Sequence, residues 1–279
     1  MKPILFCSFL VFLSIAAFGC AQKPPKVLTP DDPDWAKQRD INRKLDDLLQ
    51  RGEYCLRQCR DIEFHKSRLI EIDNVPYYSP QIADLVNKQR TFYEEAEGCY
   101  REALRLDPES MLVHQALCQI EAKLGKYDDA IEHGMQVLKT TPARMMIYRD
   151  VAVAYERKAN LAQNEYNRKL KDGNQEAPSK KAEAIKDYEE AVRIIMEYYP
   201  QDPDNVGQAQ AVWHIGLIWY EKLAVLYTGA DRLKQYNNII GVLGNFVKEH
   251  PSNLFADDMK AMVDAAAEKK ADYEAGYDE

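Results

Sequence analysis

One spacing constrains this chain more than any other. Pro108 and Pro142 stand 34 residues apart, and the residues before each follow one order. Ala96, Tyr100 and Ala103 lead to Pro108. One period later, Met111 to Arg144 carries Leu117 and Cys118 early, Gly125-Lys126-Tyr127 midway, Ala130 late and Pro142 near the end. A repeat of this length is a supersecondary unit that cannot bury its apolar face alone, so it must stack on its neighbours. The unit reads as helical. Leu, Ala, Glu and Lys abound, only 12 Gly are present, and regularly spaced Val/Ile/Thr runs are missing. With 279 residues and an apolar fraction of 46%, the chain can bury a sizeable core. The expected fold class is all-α.

Small residues where helices touch, aromatics where they interlock, and a terminal Pro make these units resemble the tetratricopeptide (TPR) repeat family. A further unit resembles it with an interruption. Tyr148, Val151, Ala152 and Tyr155 open that unit and Ala184, Tyr188 and Ala191 close it, with some 20 extra residues between. The insertion, near 160–181, centres on Lys171-Asp172-Gly173-Asn174, a turn signal, so each helix should be longer by about three turns, roughly 15 Å. A last unit runs from Trp213 through Leu217 and Tyr220, breaks at Thr228-Gly229-Ala230-Asp231, and continues through Tyr236, Ile239, Leu243 and Phe246 to Pro251. The phrases Tyr198-Tyr199-Pro200 and Lys248-Glu249-His250-Pro251-Ser252-Asn253 resemble the helix ends of outer-membrane assembly lipoproteins of the BamD type. The resemblance implies a TPR-like helical solenoid over 108–253, closed by a capping helix and acidic tail over 254–279.

A long antiparallel helical hairpin over 33–107 is expected to precede the solenoid. Asp31-Asp32-Pro33 is a helix-start signal. From Ile41 through Leu45, Leu48, Gly52, Cys55, Cys59 and Ile62 to Leu69, a 4-3-4-3 spacing draws one apolar seam, and a second runs from Ile82 to Leu106. Folding the chain back between them sets Leu48 opposite Leu106, Cys55 opposite Cys99, and Ile62 opposite Phe92. The next connection brings Cys118 towards the same layer. In an exported protein such neighbours favour a disulfide, Cys55–Cys99 first or Cys99–Cys118 second, which would contribute about 3–5 kcal/mol. The alternative is that Cys55, Cys59, Cys99 and Cys118 are small buried core residues. No metal site is expected, because Cys55-x-x-x-Cys59 is not a two-residue knuckle and no His sits at ligand spacing beside it.

Export itself is read from residues 1–19. Ile4 to Phe18 is an apolar run of 15 residues after a start carrying Lys2, shorter than the roughly 20 a membrane span needs. It reads as a signal peptide. The run ends in Ala17-Phe18-Gly19-Cys20, which resembles a bacterial lipobox, although Ala17-x-Gly19 would also suit ordinary signal peptidase. The resemblance implies a lipoprotein acylated (palmitate) on Cys20, then a flexible proline-rich tether over 20–32. Ala21, where the family's inner-membrane sorting signal has Asp, implies an outer-membrane anchor facing the periplasm.

The function expected from this layout is protein binding. The TPR resemblance implies a concave groove lined by the first helix of each pair. It carries the groove positions to Leu112, Gln115, Gln119 and Ala122, then to Met146, Arg149, Val153 and Glu156, then to Ala211, His214, Ile218 and Glu221. Mixed polar, apolar and charged positions suit an extended segment or helix of a cell-envelope protein partner. A small ligand or glycan is the alternative occupant, and at each position a merely solvated helix face is the plainer reading. Nucleic acid is an unexpected partner. The chain's net charge is −8, and removing the segment that carries Lys2 leaves 36 Lys+Arg against 45 Asp+Glu, or −9. Catalysis and cofactors are not expected either. His65, His114, His133, His214 and His250 are scattered without a Ser or Cys nucleophile beside them, and no Gly-rich phosphate loop occurs.

Overall fold

The computed structural model describes residues 34–140, 147–202 and 204–276, and every regular element among them is helical. The signal peptide, Cys20, the tether and Met146 lie outside the described residues. Contacts separate residues 1–44 from residues 45–279. The described part of the first unit is the start of helix α1 (Trp35–Glu71), where the Arg39 guanidinium lies 4.8 Å over the Trp35 ring and Gln38 donates to Asn42 at 3.0 Å.

The second unit holds the rest of α1 and every later element. Helix α2 (Pro80–Leu106) starts where the sequence provides a cap and a stop: the Ser79 hydroxyl accepts from the Ile82 N–H at 3.3 Å, and Pro80 sits in the first turn, where its missing N–H costs nothing. Helices α1 and α2 meet along the cysteine seam. Gly52 is where the Tyr100 ring lies closest, since a Cβ there would stand 2.7 Å from it. Gln89 donates to the Cys59 carbonyl at 3.1 Å while the Cys59 thiol donates back to the Gln89 carbonyl at 3.6 Å.

Helices α3 (Met111–Leu124) and α4 (Tyr127–Thr140) are joined at Gly125, whose φ of 79° ends α3 in a left-handed cap. Helices α5 (Ile147–Lys171) and α6 (Ala177–Tyr198) form an antiparallel hairpin whose turn holds Gly173 at φ 64°. Its arms are tied by the Tyr188 hydroxyl, which hydrogen-bonds with the side chains of Asn160 at 2.7 Å and Gln163 at 2.6 Å, and nearer the tip by Lys180–Glu165 at 3.3 Å and by Lys169–Glu176. After a short 3-10 turn (Tyr199–Gln201), α7 (Asn205–Leu217) begins on Asp204, whose carboxylate accepts from the Val206 and Gly207 N–H groups. The helix then widens into a π segment (Ile218–Leu223) and closes with the single turn α8 (Ala224–Leu226). Helices α9 (Gly229–Glu249) and α10 (Ala256–Glu274) complete the unit.

The largest core cluster runs from Cys118 to Ala266 and is centred on fully buried Tyr148, Tyr188, Ile194, Ile215, Ile239 and Leu243. Each such side chain contributes about 1.5–3 kcal/mol by leaving water. Small residues set the helix spacing. A Cβ on Gly134 of α4 would fall 2.2 Å from Val151 of α5 and 2.9 Å from Cys118 of α3, so the three helices approach to a distance that only glycine permits. Among the described residues no helix is long and apolar enough to cross a membrane.

The disulfides expected at Cys55–Cys99 and Cys99–Cys118 are absent: Cys55, Cys59, Cys99 and Cys118 are free and buried. Cys99 lies near enough to Cys55 to act on its thiol, yet the two are unbonded. Cys118 belongs to the α3–α4–α5 core, behind Gly134, while Cys55 packs in a separate cluster with Ala96 and Tyr100. The Cys55 thiol donates instead to Glu95 at 3.7 Å. Burial pushes the Cys59 thiol up to about 11 and raises Cys55 and Cys118 as well, which keeps all three as unreactive thiols.

Candidate functional site

A pocket of about 290 Å³ opens between α1, α2, α3 and α5. Helical periodicity explains which residues line it. Gln119, Ala122 and Lys123 share one face of α3, and Asp150, Val153 and Arg157 share one face of α5. Ile120 adds to the α3 wall, Leu56 and Arg60 project from α1, and Tyr93 comes from α2. The floor is therefore aliphatic and the rim carries three cations, Arg60, Lys123 and Arg157, against one carboxylate, Asp150. In a chain of net charge −8 this is a local reversal of sign.

The groups in the pocket are partly engaged. Burial raises the Asp150 carboxyl above its ordinary range, and the amide of Gln119, donating at 2.8 Å, works in the opposite direction. Arg157 donates weakly to the Ala122 carbonyl at 3.4 Å, and Arg60 pairs with Glu53 at 3.1 Å on the exposed side. An occupant bearing a carboxylate would meet Lys123 and Arg157 here, and an aliphatic side chain would find the apolar lining of Leu56, Ile120 and Val153.

The sequence-derived groove positions fall into three groups. Gln119, Ala122 and Val153 line the pocket, although Ala122 is nearly buried. Arg149 and Glu156 of α5 and His214 of α7 are spent on neighbours: Arg149 donates to Asp202 at 2.7 Å and to Gln210 at 3.1 Å, and Glu156 meets His214 at 2.8 Å. These bonds tie α5 to α7 as Gln119–Asp150 ties α3 to α5. The rest do not join the pocket. Leu112 is exposed at the start of α3, Gln115 is half-buried, and Glu221 faces solvent. Ala211 and Ile218 are core residues rather than surface, Ile218 being only 1% exposed. Ile218 lies seven residues after buried Ala211 and three after buried Ile215, so regular helical spacing sets it on the inner face of α7 where the π segment begins.

Sequence reasoning missed Leu56, Arg60, Tyr93, Ile120, Lys123, Asp150 and Arg157. One signal could have found the α1 and α2 contribution. Ala96, Tyr100, Ala103 and Pro108 already marked α2 as the second helix of a repeat, which makes α1 a first helix and thus a wall of the same face. Among the described residues no group of three His, Cys, Asp or Glu side chains could hold a metal ion. No family model matches the chain, and no curated protein matches it either.

Proposed function

We propose that this chain is a lipid-tethered adaptor of TPR-like construction that binds a protein partner of the cell envelope in the groove built by α1, α3, α5 and α7. The observation that carries this reading is the lateral bonding of α3 to α5 through Gln119–Asp150 and of α5 to α7 through Arg149–Gln210 and Glu156–His214, with a pocket opening beside the first of these links. Bonding between alternate helices of the chain is what stacked helical hairpins produce, and it supports a solenoid whose first helices share one face. The cationic rim over an aliphatic floor favours an acidic segment anchored by one aliphatic side chain. Tethering through Cys20 at the outer membrane, facing the periplasm, rests on the lipobox resemblance, and three acyl chains would hold it far more firmly than the marginal binding of one.

A small ligand or glycan is the second reading, favoured by the pocket volume, which lies at the lower end of small-molecule sites. Photo-crosslinking separates the two. A photoreactive residue at Val153 should capture envelope proteins in intact cells, while the same residue at exposed Lys139 on α4 should not. Equal adduct patterns at both positions overturn the adaptor reading, and Val153 adducts confined to small molecules favour the second. Labelling with radioactive palmitate should vanish in Cys20→Ser. Unchanged labelling there overturns the anchor.

A further inference from the structure

Away from the pocket, α2, α3 and α4 meet at a buried polar cluster that the groove does not use. Glu121 of α3 is fully buried. From α2, Arg101 approaches it at 2.7 Å while also pairing with Glu97 and with Asp129 of α4, each at 2.8 Å. Lys126, in the α3–α4 turn, binds Glu97 at 2.6 Å. From α4, His133 Nε2 stands 3.6 Å from Glu121 Oε1, and His133 Nδ1 lies 2.8 Å from His114 Nδ1. His114 Nε2 in turn lies 3.1 Å from the Pro108 carbonyl oxygen.

With both rings neutral, acceptor chemistry orders the protons along this chain. A carbonyl oxygen only accepts, so His114 Nε2 carries its hydrogen and donates to Pro108. A neutral His114 then offers only a lone pair at Nδ1, so His133 Nδ1 must be the donor between the rings. A neutral His133 consequently turns a bare Nε2 lone pair towards Glu121. A buried lone pair facing a buried carboxylate at 3.6 Å is repulsive, and one proton taken up by either group removes the repulsion.

The surroundings decide which partner keeps it. Burial lowers the basicity of His133, with His114 and Arg101 acting the same way and Glu132 and Asp129 against. Burial raises Glu121 to about 7, opposed by Arg101 and Lys126 and reinforced by Asp129 and Glu97. Cys118, which feels the charge of Glu121, stays a thiol. The Arg101 contact is close, yet among the described residues neither Glu121 oxygen accepts a well-directed hydrogen bond. The Arg101 charge favours the carboxylate, so burial, with Asp129 and Glu97, has to outweigh it for Glu121 to keep a proton.

We propose that Glu121 and His133 share one buried proton near neutral pH and that this proton locks α3 against α4. Its release to solvent as pH rises leaves a carboxylate in the core and loosens the junction that carries the α3 wall of the pocket. The sign follows from linkage. The folded chain keeps the Glu121 proton up to about 7 while the unfolded chain releases it near 4.5, so stability from this group is complete below the lower value and is lost as pH rises through the upper one.

Two measurements on the full chain test this, and neither needs a partner, so failure of the adaptor reading would leave them intact. Long-range ¹H–¹⁵N spectra of the histidine rings at pH 7 should find His114 in the Nε2–H form and His133 in the Nδ1–H form. A hydrogen on His133 Nε2 overturns the proposal. The second compares the wild type with Glu121→Gln, whose side chain has nearly the same shape and no proton to release at any pH in this range. Between pH 5 and 8 the wild-type folding constant should fall roughly a hundredfold more than that of the variant. Parallel curves overturn the proposal, and should the variant fail to fold, the ring spectra of the wild type decide.

Discussion

Replacing Gly134 with Ala adds one methyl group at the tightest point of the α3–α4–α5 core. That methyl would stand 2.2 Å from a methyl of Val151 and 2.9 Å from the Cys118 sulfur, where ordinary contacts between carbons need about 3.5–4.0 Å. Neither neighbour yields easily. Both are fully buried, and Val151 is β-branched in a helix, which leaves it essentially one rotamer. Overpacking of this kind costs about 1–3 kcal/mol, and stiff neighbours place this case near 3. Alanine returns about 1 kcal/mol of helix propensity, so a net loss of about 2 kcal/mol is expected. The matched control is Gly98→Ala on the exposed face of α2, where nothing lies within 4 Å of the new Cβ. The same exchange there should stabilise by about 1 kcal/mol. Urea unfolding followed by far-UV circular dichroism reads both, and a double variant with Val151→Ala should be less destabilised than the two single changes added together. Should Gly134→Ala prove as stable as Gly98→Ala, the helices do not approach as described.

Other expectations follow from single contacts. Arg149→Ala leaves the buried Asp202 carboxylate without its guanidinium and should cost about 2–3 kcal/mol in the same unfolding assay. Burial works against the ionised form of Asp202, but the Asp204 N–H, Arg149 and Tyr148 outweigh it and hold the carboxyl below its usual range. The stability it contributes is present above about 3.8 and is lost as pH falls through the lower folded value, so the acid limb of the stability curve should flatten in Arg149→Ala; an unchanged limb refutes the pairing. The four buried thiols should label with maleimide at pH 8 only once urea unfolds the chain, and rapid labelling of native Cys118 would contradict its packing. Lys123→Glu with Arg157→Glu should abolish partner capture from Val153 while leaving the unfolding midpoint within about 0.5 kcal/mol of wild type, as surface changes do. Retained capture excludes an acidic occupant.

Local punctuation in the sequence was a good guide to the helices. Gly125 and Gly173 sit at positive φ in the turns where Gly125-Lys126-Tyr127 and Lys171-Asp172-Gly173-Asn174 implied reversals. The alanines and tyrosines that mark the repeat, among them Ala152, Tyr148, Ala184 and Tyr188, are fully buried as helix contacts require. Surface positions were harder to read. Gln119 and Val153 fell on the open face, whereas Ala211 and Ile218, in phase with each other, fell on the buried face of α7. Side chains that satisfy each other across helices, such as Glu156 with His214, carry no mark in one dimension that separates them from groups awaiting a partner. The cysteines show the same limit: their spacing put them on the inner seam but could not tell which neighbour each sulfur would face.

The widened turn at Ile218–Leu223 has a consequence for how such a chain can change. A π segment holds one more residue than the α-turn it replaces, and each residue of an α-helix accounts for about 100° of rotation. Removing a single residue there would re-close the regular ladder and change how the chain beyond Leu223, Phe255 included, meets Trp213. The aim of the terminal helices is thus geared to one codon, a coarse adjustment that alters orientation while leaving composition almost untouched.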